Sequence, residues 1–208
     1  MLVLPEIQLE SILSTGFAAI GATPTVLDEL FTKYPAAMRT EIKNYLTSHK
    51  VSVVLDYPRT GLTAPVIAIV NAGDSEVADK DMLGDYLHTE DPDLVEGNTT
   101  EFVGLALQGN YQLLVLTQDP RLSMYLSYLV LTLLILNTDT LQEAGMHNVI
   151  MGLGALSSID ESLLPEWSNP RMVTLSCLHY HSVPITSNLI NIFVTTVTPV
   201  APASVVIT

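Results

Sequence analysis

The residues of this chain best placed to do chemistry are Cys177, His179 and His181, spaced by two in a segment rich in β-forming residues. Spacing by two along a strand puts one thiol and two imidazoles on a single face, and zinc accepts both donor types. The segment supplies no fourth donor by spacing. Neighbouring strand positions also diverge too little to close a tetrahedron without another element. Buried or interface histidine and cysteine are the commoner use of these residues. The expectation is therefore no metal and no cofactor, with Cys177, His179 and His181 as the candidates if a metal is held.

Other constellations are weaker. Asp74, Glu76, Asp79 and Asp81 could gather a hard cation, but the glycine-anchored spacing of a calcium loop is missing, which favours a solvated acidic face. Gly152 and Gly154 precede no helix-opening phosphate loop, and neither Gly-x-Ser-x-Gly nor Gly-Lys-Ser/Thr occurs. His49, His88 and His147 have no nucleophile suggested by local sequence, and Tyr125 and Tyr128 stand at the helical spacing of core packing. The chain does not read as an enzyme.

The elements that must position these residues follow from hydrophobic period. Pro5 and Glu6 open one helical segment, and Pro35 opens another in which Met38, Ile42, Tyr45, Leu46 and His49 share a face, so two short helices are expected. β-branched runs at 51–55 and 65–70, separated by Pro58 and Gly61, predict a hairpin or strand pair. Residues 71–100 have loop composition and nine acidic side chains. Residues 102–116 then alternate through Val103, Leu105, Leu107, Tyr111, Leu113 and Val115, as one long strand or a hairpin turning at Gly109 and Asn110.

Asp119 and Pro120 mark the start of a helix that continues through Leu122, Tyr125, Leu126, Leu129, Val130, Leu133 and Leu134. A further helical turn at 138–144 ends at Gly145. Strands are expected at 147–151, 172–181 and 188–197, separated by Pro165, Pro170 and Pro184. The fold class is α+β: a mixed, mostly antiparallel sheet packed against a central apolar helix at about 119–137, with short N-terminal helices. Residues 1–197 read as a single domain with an acidic excursion at 71–100. Residues 198–208 form an extended tail whose Val205, Val206 and Ile207 either add a strand to a neighbouring subunit's sheet edge or fray.

Composition sets the outer limits. With 48% hydrophobic and 14% charged residues, the chain must fold, and part of its surface is expected to be covered by partners. A net charge of −14 repels phosphate backbones, which argues against nucleic-acid binding. One cysteine and no basic leader suit synthesis in a reducing cytoplasm. The uncharged run 122–136 spans about 22 Å as a helix, short of a ~30 Å hydrocarbon layer, so no membrane span is expected.

The order of parts resembles tail terminator and neck proteins of tailed bacteriophages. The residues that carry the resemblance are 102–104, 111–117 and the helix opening at 119–129, and the resemblance in the order of parts extends over about half of the chain. The resemblance implies a non-catalytic virion protein made in the host cytoplasm. Such a protein closes as a homo-oligomeric ring, a hexamer, at the head-tail junction. There it ends the tail tube and meets tube, sheath and connector proteins, while DNA passes through the bore without specific binding. The long excursion and proline-marked tail depart from the smaller terminators, which leaves a collar, tail-completion or sheath-capping protein as the alternative within the class. Outside it stand a small metal-binding protein using Cys177, His179 and His181, and a binding module that captures a basic partner with its acidic loop.

Overall fold

The computed structural model describes residues 4–57, 63–77, 101–154 and 164–185, with side chains in the two longest strands described for 105–117 and 169–181. Along these residues the order is α1 (Pro5–Ala22), α2 (Val26–Leu30), α3 (Ala36–Ser48), β1 (Ser52–Leu55), β2 (Val66–Glu76), β3 (Glu101–Thr117), α4 (Pro120–Leu136), α5 (Thr138–Glu143), β4 (Met146–Gly154) and β5 (Asn169–Ile185). The chain divides into two compact units. Val3–Val77 with Ala106–Tyr180 form the first, described below. Of the second, residues 101–105 and 181–185, the outer ends of β3 and β5, are described.

Each helix follows from local chemistry. Pro5 occupies the first turn of α1, where its missing N–H costs nothing. Leu9, Ile12, Leu13, Phe17 and Ile20 then recur every three or four residues to form the buried stripe. At 18 residues α1 is longer than the short helix expected, and α2 lies between it and α3. Pro35 precedes α3, which buries Ile42 and Leu46, while His49 caps it in the open. Arg39 and Lys43 of α3 both pair with Asp28 of α2.

α4 begins where the sequence places it. The Asp119 side chain accepts from the Arg121 N–H at 2.7 Å, satisfying one of the orphan donors of the first turn. Thr117 Oγ1 donates to the Asp119 carbonyl at 2.6 Å, and Asn169 Nδ2 donates to the Gln118 carbonyl at 2.7 Å. The β3–α4 turn is thereby tied to the start of β5. Asp119→Ala is expected to cost about 1 kcal/mol, read as a lower urea midpoint at unchanged slope. The following helix, α5, ends at Gly145, whose φ of 89° lies in the left-handed region that glycine tolerates best.

The five strands form one sheet in the order β1-β2-β3-β5-β4. β1 and β2 pair in parallel, β2 and β3 antiparallel, and β4 and β5 antiparallel. Gln108 Nε2 donates to Ser176 Oγ, and the Asn169 contact with Gln118 lies further along, so β3 and β5 also run in opposite directions. The sheet is thus mixed and mostly antiparallel, in an α+β fold. The runs 51–55 and 65–70 pair without forming a hairpin, because they run the same way. β3 is one continuous strand with no turn at Gly109 and Asn110.

Tyr111, Leu113 and Val115 face the helices together with Ile67, Ile69, Val173, Leu175 and Cys177. The opposite face buries Val66, Ala68, Val70, Leu114, Leu116 and Met172, against which Tyr57, Leu164 and Trp167 pack. Central strands covered on both faces explain the unbroken apolar runs at 66–70 and 113–116.

Two expectations shift. Residues 71–76 belong to β2, although their composition is that of a loop. Pro170 and Pro184 lie one residue inside the two ends of β5, which extends beyond the strand expected at 172–181. The strand expected at 188–197 and the tail with Val205, Val206 and Ile207 lie outside the described residues.

Candidate functional site

Cys177 is fully buried on the helix-facing side of β5, and His179 follows on the same side, 4% exposed. His181 is exposed and belongs to the other compact unit. Among the described residues no three His, Cys, Asp or Glu side chains converge as metal ligands. Asp79 and Asp81 lie outside those residues, and Asp74 and Glu76 stand on β2.

The structure surrounds His179 with groups from other elements. Asp74 Oδ1 is 3.8 Å from His179 Nε2, beyond hydrogen-bond reach, and neither ring nitrogen has a partner among the described residues. Asp74 sits opposite Gly109 in the β2–β3 register, just past a bulge between Asn71 and Gly73. Gly73 takes a φ of 128° there, and its N–H donates to Asn71 Oδ1 at 2.8 Å. Asn71 Nδ2 donates to Glu6 Oε1 at 2.9 Å, bringing a second carboxylate from α1 to the same place.

The Tyr111 ring folds back over Gly109. A Cβ on Gly109 would fall 2.6 Å from the Tyr111 hydroxyl and 3.0 Å from Asp74 Oδ1, so only glycine leaves room. The Tyr111 hydroxyl is buried without a hydrogen-bond partner among the described residues. Burial, then the charges of Asp74 and Glu6, push its ionisation well above the usual tyrosine range. The same causes in the same order push the Cys177 thiol up to about 12.

These shifts decide what the cluster can do. A thiol held neutral beside two carboxylates is the reverse of an activated cysteine, which needs a cationic or helix-terminus environment. The cluster brings polar groups together and offers no activated thiol. Sequence spacing found Cys177 and His179. It missed Asp74, Tyr111 and Glu6, which join them only through strand register and the packing of α1.

The other conspicuous feature is the sheet's outer edges. Among the described residues β1 and β4 each pair on one side only. β4 is free of Asp, Glu, Lys and Arg, and exposes Ile150 at 69% and Leu153 at 50%. Apolar side chains beside unpaired backbone groups form a surface that natural proteins ordinarily cover. No helix among the described residues is long and apolar enough to cross a membrane.

A scan against protein-family profiles finds no match for the chain, and a search of curated proteins finds none. The functional reading therefore rests on the sequence pattern and this geometry.

Proposed function

We propose that the chain is a structural assembly subunit of a tailed phage, forming a homo-oligomeric ring at the head-tail junction that ends the tail tube and joins it to the head. The observation that carries the assembly part is the pair of sheet edges left open among the described residues, one of them uncharged and exposing Ile150 and Leu153. Edge strands of this kind associate by adding strands, and in a chain of net charge −14 the uncharged surfaces are where like copies approach at least electrostatic cost. An acidic ring also suits DNA that slides through without binding.

The phage assignment adds the resemblance in residues 102–129. Light scattering with negative-stain imaging across protein concentrations tests the assembly part, with closed rings of uniform size as the expected result. A chain that stays monomeric, alone and with tail tubes present, rejects it. Position in a virion reconstruction separates a terminator from a collar or sheath-capping protein.

A further inference from the structure

A groove of about 690 Å³ runs beside β1, between α1 and the end of α3. Phe17, Ala18 and Gly21 line one wall, Leu46 and Lys50 the other, and the backbone of β1 forms the base. In the parallel register Ser52 and Asp56 donate to the carbonyls of Pro65 and Ile69 in or next to β2. Alternation then turns the N–H and C=O of Val53 away from β2, toward the open side. The edge ends beside Leu4, Ile7 and Leu55, which are 50%, 46% and 41% exposed and line a second cavity of about 450 Å³. A strand edge unpaired among the described residues and set between small and apolar side chains is the geometry that accepts an added β-strand.

We propose that this groove receives residues 203–208 of a second copy of the chain, which lie along β1 as an extra outer strand. The inference rests on the assembly reading above and names the surfaces that meet. Charge selects the occupant. Lys50, Glu6 and Asp56 lie only at the ends of the edge, and the stretch between them, residues 51–55, is uncharged, which suits an uncharged apolar strand. Residues 172–208 contain no Asp, Glu, Lys or Arg, and 205–207 are Val, Val and Ile, residues that favour strands. Length permits the exchange. The 23 residues 186–208 that follow β5 reach up to about 75 Å when extended.

Gly21 provides a clean test, because a Cβ added there meets nothing within 4 Å. Gly21→Leu therefore starts from an unobstructed Cβ and sends its side chain into the space a strand would occupy, and a helix favours leucine over glycine. The expected result is a chain whose circular dichroism matches the folded wild type but that no longer assembles, its melting temperature falling only by what assembly contributed. Full-length chain carrying both Gly21→Cys and Val206→Cys is expected to give a ladder of covalent oligomers on oxidation, while each single variant stops at a dimer. Cys177 is buried and stays out of the exchange. A cross-link confined to one chain overturns the proposal, as does Gly21→Leu assembling like the wild type. Wild-type rings without a ladder reject the groove alone, whereas a wild type that stays monomeric alone and with tail tubes, and gives no ladder, removes the assembly reading as well.

Discussion

Leu126→Ala is expected to lower the free energy of unfolding by about 2–5 kcal/mol, whereas Tyr128→Ala two residues away is expected to change it by about 0.5 kcal/mol or less. Leu126 is fully buried in the core cluster that α4 shares with α1 and the sheet, and its truncation removes close packing there that relaxation recovers only in part. α1 already lies close: a Cβ on Gly16 would stand 2.8 Å from a methyl of Leu133. Tyr128 is 39% exposed on the same helix. Urea unfolding at unchanged slope is the measurement. Equal costs at the two positions would mean that α4 is rotated from the face described, and with it the partition of the helix into core and surface.

That partition shows why some of the fold was legible in the sequence. The start of α4 is a local matter: Asp119 caps, Pro120 begins, and no distant residue is needed. The same holds for Gly145 at the end of α5, and for the alternation of Tyr111, Leu113 and Val115. The extension of β2 through residues 71–76 is different. Asn71, Gly73, Asp74 and Ser75 are turn formers, and they adopt a strand because residues 107–111 of β3 pair with them across a bulge. No local rule sees a partner more than thirty positions away. The parallel direction of β1 and β2 was hidden for a related reason, since Pro58 and Gly61 signal a change of direction without fixing its sense.

The candidate site divides along the same line. Cys177 and His179 are visible because strand alternation puts them on one face. Asp74 looked like part of a solvated acidic run, and only the register opposite Gly109 brings it to His179 and Tyr111. Tyr111 was legible as a core residue, and it is one. Its hydroxyl, lodged over a glycine beside a carboxylate, has no signature in composition or period.

Alkaline pH should expose that cluster. In the unfolded chain the Cys177 thiol ionises near its ordinary 9.0 and the Tyr111 phenol near 10.0. In the folded chain the thiol waits until about 12, and the phenol is held higher than its ordinary value for the same reasons. Above the unfolded values the unfolded chain sheds protons that the folded chain keeps. Each group then tilts the balance toward unfolding by about 1.4 kcal/mol per pH unit. Stability from both groups is fully present below pH 9.0 and is lost as the pH climbs toward about 12. Urea midpoints measured across that interval should fall steeply. Tyr111→Phe should flatten the fall while holding or raising stability at neutral pH. The variant keeps the ring packed and removes a buried hydroxyl that lacks a partner among the described residues, and leaving such a group unsatisfied costs about 1–3 kcal/mol. Cys177→Ala should remove the thiol's share of the slope, at the cost of a small cavity next to Tyr111. An alkaline profile identical in wild type and both variants would place the titrating groups elsewhere.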